Sequence, residues 1–429
     1  MLNGRTRARV QYEITQHPKL ASQLPAPQVK ILRIALQSHR DALALQQDNA
    51  DALFNIAQVL TSLAEALTEP KRPKEHYVQE ALQYLQEALE LFQRCLVLQE
   101  LRYTESQEQI KMMESGEFDT VGEDAGVAMS EEATDEPSES EETPEQEEWA
   151  EVVEPVTKDT LVDTAVAQLE TLATLCGLLT LDPGSGLAWV EEYSYDLLRT
   201  KIAAYVEGTD RQQEVALARA QFLAALTEIL YRSGRIDTET YQRDLSDAFP
   251  PDLDLSNDPE GLCSKAEALT SFNAATADHP PHKVEELSRV VVLRWQGLGS
   301  ALEALTAASK LATADNVSKI HIARGDVEMS RWQLGRAPWN FSMAQENAAT
   351  LLKNAQTYYR GAAALAHRDG AAEEEREGSC KEAIAAGLAG DKSKLEQLRS
   401  TAPKELMTVA EDMLEDGLAM APDLEPLLS

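Results

Sequence analysis

The sequence predicts an all-α protein, built as an α-solenoid of antiparallel helix pairs. Alanine, leucine, glutamate and glutamine dominate the 429 residues, and aromatic residues make up only 5%. This composition suits helices that pack through small side chains better than it suits a sheet-rich core. In addition, a spacing of small, large and small side chains recurs along the candidate helices, which indicates stacked helix pairs.

The clearest form of this spacing lies between residues 34 and 100. It occurs twice, in the sets Ala35, His39, Ala42 and Ala88, Phe92, Cys95. Between the two sets, a further helix is predicted over residues 51–60. Its packing positions are Leu53, Ile56, Ala57 and Leu60. These residues predict that neighbouring helices cross closely at the small side chains.

The N-terminal helices are bounded by proline and turn residues. Helices are predicted over 8–24, 28–47, 50–68 and a long stretch from His76 onward. Pro25 and Pro27 separate the first two helices, and Asn49 offers a side-chain cap to the third. Residues 1–113 are therefore predicted to form an N-terminal set of helical repeats.

An acidic segment follows these repeats. Between residues 114 and 154 the chain contains 17 Asp and Glu and no Lys or Arg. Such a stretch buries too little apolar surface to offset its ordering entropy, so we expect a disordered acidic insertion over 114–156. Two interpretations stay open, a solubilising linker and a polyanion that screens a basic client. The candidate binding residues of this segment are Glu139, Glu141, Glu142, Glu147, Glu148 and Trp149.

Helical periodicity resumes after the acidic segment, and residues 157–429 are predicted to form C-terminal repeats with a cap. Helices are predicted over 160–179, 187–206 and 211–233, followed by an irregular insertion over 237–262 and a cap over 361–420. The small, large and small spacing returns in three sets. These are Ala268, Phe272, Ala275, then Ala301, Leu305, Ala308, then Ala348, Leu352, Ala355.

These sets, in their register, resemble the tetratricopeptide repeat (TPR) family. The resemblance implies that the first helix of each pair lines a concave, ligand-binding face. It would direct Asp51, Phe54, Gln58 and Ser62 toward a protein ligand, with Phe54 as an apolar anchor. The alternative is that a neighbouring segment covers this helix.

The layout of repeats and acidic segment is similar to that of nuclear histone chaperones of the NASP type. It is similar more loosely to helical-repeat escorts of ribosomal proteins. The resemblance implies a non-catalytic chaperone or escort for a basic client, either a histone or a ribosomal protein. The alternative is a TPR scaffold subunit of a larger multiprotein assembly.

Charge and motif content exclude several other functions. The net charge of −34 argues against direct binding of nucleic acid. The four cysteines lack metal-ligand spacing, and no catalytic or cofactor-binding constellation is found, so we expect no enzyme activity, metal or cofactor. No secretion or membrane segment is expected, which favours a cytoplasmic or nuclear location. Lys71-Arg72-Pro73-Lys74 is either a weak nuclear signal or a solvated loop between helices.

Overall fold

The computed structural model describes residues 4–17, 20, 26–114, 155–180, 186–281 and 283–428. The described residues form helices, turns and loops and contain no strand. The first nine helices are α1 (Gly4–Gln16), α2 (Gln28–Leu45), α3 (Ala50–Thr68), α4 (Glu75–Glu114), α5 (Lys158–Leu179), α6 (Gly186–Asp196), α7 (Ile202–Val206), α8 (Gln212–Arg232) and α9 (Thr238–Ala248). The remaining helices are α10 (Pro259–Asp278), α11 (Val284–Ala308), α12 (Val317–Gln333), α13 (Ser342–Glu346), α14 (Ala348–Asp369), α15 (Ala372–Leu388), α16 (Ser393–Thr401), α17 (Pro403–Glu415) and α18 (Ala421–Leu428).

The helices stack in chain order. The most extensive pairs are α3 with α4, α5 with α8, α10 with α11, α12 with α14, and α14 with α15. Each pair also contacts the next, so the hydrophobic core runs along the molecule as a series of clusters. The predicted all-α solenoid of antiparallel helix pairs is confirmed in the described part of the chain.

The predicted packing positions of the N-terminal repeats are buried. Ala35, Ala88, Leu53 and Cys95 have no exposed surface, and Phe92 is 1% exposed. Small residues let neighbouring helix backbones approach closely, and the large residue fills the space between them. The Asn49 side chain accepts a hydrogen bond from the Ala52 N–H at 2.9 Å and begins α3, as its N-cap chemistry predicts.

The first helix is shorter than its prediction. It ends at Gln16 and not at residue 24. His17 precedes Pro18 in the sequence, and a residue before proline is disfavoured in helical conformation. Residues 28–114 hold three helices, α2, α3 and α4, so α1 supplies the partner that completes the first pair.

Residues 115–154, which carry the predicted acidic insertion, lie outside the described residues. On their far side, Thr157 caps α5, and its hydroxyl accepts a hydrogen bond from the Thr160 N–H at 3.3 Å. One hydrophobic cluster joins Leu85 and Leu89 of α4 to Leu169 of α5 and Phe222 of α8. The packed solenoid is therefore continuous from the N-terminal to the C-terminal repeats.

Helix α5 is long and apolar enough to cross a membrane, with a mean hydropathy of 1.2. However, 61% of that stretch is buried inside the protein. Leu161, Leu169, Leu172 and Cys176 face the core. The apolar character of α5 is accounted for by this burial between α4 and α8.

Two predictions for residues 187–262 need correction. The single helix predicted over 187–206 is interrupted by a π-helical turn at Leu197–Lys201. The irregular insertion predicted over 237–262 contains a regular helix, α9. Tyr241 and Leu245 of α9 are buried at a spacing of four residues, a helical pattern that the surrounding Asp and Pro residues obscured.

The repeat register predicted for the C-terminal half is also wrong in part. The sets around Phe272 and Leu305 lie on α10 and α11, which are consecutive helices packed against each other. In a TPR array, one repeat length separates equivalent helices of successive pairs. Here α10 and α11 have 20 and 25 residues, so one repeat length leads from one helix only to the next helix, and not to the equivalent helix of the next pair. The side chains are nevertheless buried as packing positions, with Phe272 2% and Leu305 4% exposed.

Candidate protein-binding grooves

Two grooves lie along α3. One is beside its first turns, and the other is beside its last turns. The first, called here the N-terminal groove, has a volume of about 370 Å³. It is formed by α1, α2, α3, α4 and α5. Its lining residues are Arg9, Tyr12, Glu13, His39, Asp51, Phe54, Asn55, Gln58, Gln99, Thr160, Asp163 and Thr164.

Three of the four residues predicted on α3 line this groove. Asp51 is exposed, whereas Phe54 and Gln58 are half-buried. The Phe54 ring meets the buried Phe92 ring edge to face, with centroids 5.5 Å apart. Phe54 is therefore packed on the core and presents only part of its ring to the groove, so it is less exposed than the TPR resemblance implied.

The fourth residue, Ser62, is covered by α1. The Ser62 and Tyr12 hydroxyls lie 3.2 Å apart at hydrogen-bonding distance, and the Gln16 side chain donates to Ser62 at 3.5 Å. Burial raises the pKa of the Tyr12 hydroxyl above its ordinary value. A neighbouring segment, α1, therefore covers this helix at Ser62, as the alternative expectation for α3 stated.

The predicted site residues of the acidic segment lie outside the described residues. They are Glu139, Glu141, Glu142, Glu147, Glu148 and Trp149. Their role stays a prediction.

The second groove, called here the acidic groove, was not predicted. It has a volume of about 590 Å³ and is formed by α3, α5, α8 and α10. Its walls carry five glutamates, and its other lining residues are small or uncharged. The glutamates are Glu65, Glu170, Glu228, Glu260 and Glu267, and the other residues are Ala173, Thr174, Gly177, Thr180, Gln221, Ala224, Ala225, Ser264, Ala268 and Ser271.

The carboxylates of this groove repel one another. Partial burial raises the pKa of Glu170, and the charges of Glu260 and Glu65 raise it further. The pKa of Glu267 is raised by burial and then by Glu228. Burial also raises the pKa of Glu65. Glu65, Glu170 and Glu267 are still exposed to solvent, so each shift reflects a modest penalty on the charged carboxylate.

Little positive charge compensates the groove. Glu228 pairs with Arg232 at 2.8 Å. The other four glutamates form no ion pair within the described residues, and no Lys, Arg or His lines the groove. A cation that enters would relieve the mutual repulsion, so the groove is suited to lysine or arginine side chains.

The sequence contains only a weak signal for this site. Glu260 and Glu267 lie seven residues apart and therefore on one face of α10. Glu228 lies on α8 and lines the same groove. These residues are three among 73 acidic residues in the chain. Which of them meet depends on how four helices pack, and this information is absent from any local pattern.

No group of His, Cys, Asp and Glu suited to a metal occurs among the described residues. The four cysteines are free thiols. Burial raises the pKa of both Cys95 and Cys176 to about 12, so these thiols stay protonated at neutral pH.

The fold and the grooves define a helical repeat protein with concave surfaces. No protein-family model matches the chain, and no curated protein matches it. Among solved structures, the chain is similar to a "circular tandem repeat protein with novel repeat topology and enhanced subunit contact surfaces". The two are 13% identical over 99% of this chain and 86% of that chain, with a TM-score of 0.33. These values carry no conclusion about partners or activity.

Proposed function

We propose that this protein is a non-catalytic chaperone or escort that holds a basic protein client in the acidic groove. The observation that supports the proposal is the meeting of five glutamates from four helices, of which only Glu228 forms an ion pair within the described part of the chain. Such a surface attracts lysine and arginine over a distance of several ångströms before contact. Histones and ribosomal proteins are the client class with this chemistry.

The small residues of the groove support the same proposal. Gly177, Ala224, Ala225 and Ala268 leave space between the carboxylates. Extended lysine and arginine side chains have long apolar stems, which can lie on such a floor while their charged ends reach the glutamates. A client segment with several basic residues would satisfy several carboxylates at once.

The proposal includes membership of the TPR superfamily and a layout like that of NASP-type histone chaperones. The buried small residues of the N-terminal repeats support the first part. The acidic run between residues 114 and 154 would add a second, long-range attraction for the same client. We propose a cytoplasmic or nuclear location and no direct contact with nucleic acid or membrane.

The experiment measures affinity for a core histone and for a lysine-rich synthetic peptide across a salt series. The test variant is the double substitution Glu170→Gln, Glu267→Gln, which removes two charges from the groove. We expect about a tenfold loss of affinity at low salt and a smaller loss at high salt, since the contacts are ionic.

The matched control is Glu105→Gln, Glu108→Gln, which removes the same charge from the exposed end of α4. We expect this control to change affinity less than twofold. Equal losses in both variants would show that total charge, and not the acidic groove, attracts the client, and would overturn the proposal.

The second candidate is a scaffold subunit of a larger assembly, and exposed apolar residues favour it. Leu45 is 90% exposed at the end of α2, and Val97 and Leu101 of α4 are 51% and 56% exposed. Arg102 donates to the Asp48 carbonyl at 3.0 Å, which brings this part of α4 beside the α2–α3 loop. A complex formed through such side chains would persist at high salt, whereas the escort complex would dissociate.

A further inference from the structure

The N-terminal and C-terminal parts of the solenoid meet through charged side chains. Lys71 and Arg72 lie in the loop between α3 and α4. The Lys71 ammonium donates to Asp416 at 2.7 Å, and the Arg72 guanidinium donates to Glu415 at 2.9 Å. These partners are 345 and 343 residues apart in the sequence. The contact therefore joins the second helix pair to the end of α17.

Each of the two cations lies between two carboxylates. Lys71 is also 3.6 Å from Asp412, and Arg72 is also 3.7 Å from Glu411. The four acidic residues form two adjacent pairs that are four residues apart, so they lie on one face at the end of α17. They are Glu411, Asp412, Glu415 and Asp416.

This acidic face needs cations from elsewhere in the chain. A helix C-terminus carries partial negative charge, so carboxylates there are unfavourable, and those four residues apart also repel. The last turn of α17 contains no basic residue. Lys71 and Arg72 thus supply the compensation that α17 lacks.

Polar contacts dominate here: besides its ion pairs, Lys71 donates to the Asp412 backbone carbonyl at 3.1 Å. None of the hydrophobic clusters formed by the described residues joins the α3–α4 loop to α17. The Lys71 and Arg72 side chains are 40% and 56% exposed, so salt screens their ion pairs. Pro70 and Pro73 flank the two cations and restrict the loop that presents them.

The contact borders the acidic groove. Glu65 and Glu69 are four residues apart at the end of α3, and Glu65 lines that groove. Glu69 lines a neighbouring cleft of about 410 Å³, together with Lys71 and Asp412. A client segment in the groove can therefore continue toward the acidic face of α17.

We propose that Lys71 and Arg72 form an autoinhibitory clasp on the acidic face of α17. They occupy four carboxylates that would otherwise bind basic side chains, and they hold the two parts of the solenoid together. A basic client displaces them and opens the clasp. The displacement step rests on the proposed function, whereas the closure itself does not.

The closure is tested by the distance between spin labels on exposed positions, Gln79→Cys and Thr408→Cys, in a Cys263→Ser background. We expect a narrow distance distribution at low salt that broadens toward longer distances at about 1 M salt, where the screening length is about 3 Å. Lys71→Glu, Arg72→Glu should give the broad distribution at every salt concentration. A distribution that neither salt nor this double substitution changes would overturn the clasp.

Two further variants make the result specific. Adding Glu415→Arg, Asp416→Lys to the Lys71→Glu, Arg72→Glu protein exchanges the charges across the contact and should restore the narrow distribution. Lys74→Glu, Arg94→Glu makes the same change in total charge at residues that form no ion pair among the described residues, and it should leave the distribution unchanged. Failure of the exchange to restore the distance would count against direct pairing.

The displacement step is tested with a lysine-rich synthetic peptide. The peptide should broaden the distance distribution of the wild type. The Lys71→Glu, Arg72→Glu variant should bind the peptide about 3- to 10-fold more tightly than the Lys74→Glu, Arg94→Glu control does. Equal affinity in these two variants would overturn displacement. If the peptide binds neither variant, the proposed function and the displacement step both fail, and the distances measured without peptide still decide the closure.

Discussion

The N-terminal groove and the acidic groove share helix α3 but differ in what they offer a ligand. Phe54 and Gln58 direct an aromatic edge and a neutral amide into the first. Two turns further along, Glu65 contributes a carboxylate to the second. The first groove contains both signs of charge, because Arg9 lines it with Glu13, whereas every charged residue that lines the second is acidic.

Under the proposed function, this difference would let one repeat helix serve two kinds of recognition. An apolar contact at Phe54 is insensitive to salt, whereas carboxylates at Glu65 and Glu170 act at longer range and are screened. A ligand that used both grooves would gain attraction from the second and a fixed position from the first. The predictions below separate these contributions.

The largest effect is expected when the core that supports both grooves is broken. Ala88 of α4 has no exposed surface and packs in the cluster that contains Phe92 and Leu60. Ala88→Arg should destabilise the protein by about 3–5 kcal/mol, because the guanidinium overfills the helix crossing and buries a charge. The control is Val97→Arg, on an exposed position of the same helix. Thermal unfolding that is equal in both variants would contradict the packing of Ala88.

The second prediction concerns the acidic segment, which is removed while the acidic groove is left intact. Replacing residues 114–154 by a Gly/Ser linker of equal length should leave the fold intact and weaken histone binding by roughly 1–3 kcal/mol at low salt. The salt dependence should become flatter, because a long-range attraction is lost. Unchanged affinity at every salt concentration would make the segment a spacer and leave the groove as the source of attraction.

The third prediction concerns the N-terminal groove. Phe54→Ala should weaken client binding by about 1–2 kcal/mol at all salt concentrations, because an apolar contact is not screened. The ring also packs on Phe92, so folding stability should fall as well. Gln58→Ala, on the same face one turn later, is the control for groove shape. If only stability changes and affinity does not, Phe54 is a core residue and not an anchor.

The smallest effect is expected from neutralising one groove glutamate. Because the folded state raises the pKa of Glu170 above its ordinary value of 4.5, it binds more protons than the unfolded state just above that pH. Stability therefore falls as pH rises through this window. Glu170 is exposed to solvent, which screens this repulsion, so Glu170→Gln should raise the melting temperature by no more than about 1 °C at pH 7 and by nothing below pH 4.5. Glu105→Gln on α4, outside the acidic groove, should show no such gain.

The sequence predicted the N-terminal packing because that packing is local. Small and large residues on α2 and α4 repeat at helical spacing. Ala35, Ala88 and Phe92 can therefore be predicted as packing residues without knowledge of the partner helix. The groove position of Phe54 was implied by the resemblance to TPR arrays. Its contact with Phe92, and the cover that Tyr12 places over Ser62, required the packing of helices that the pattern does not specify.

The C-terminal half was predicted less well for a physical reason. One repeat length separates the sets on α10 and α11, but the helices are long, so this interval covers one helix instead of a pair. Helix α9 was missed because Asp237, Pro250 and Pro251 surround it with turn chemistry. The acidic groove was missed because its glutamates come from helices far apart in sequence, and only packing brings them together.

Helix α4 sets the size of the unit that unfolds at once. It has 40 residues and so is about 60 Å long, whereas its partner α3 has 19 residues and is about 28 Å long. Beyond α3, Glu100 of α4 pairs with Lys201 at 3.2 Å and accepts from Tyr205, whereas residues 108–113 are exposed. In most solenoids, repeats fray one after another from the ends. Here a single helix belongs to two successive pairs, so amide hydrogens in the packed parts of α2 to α8 should exchange with one shared opening free energy, and those of residues 108–113 should exchange faster.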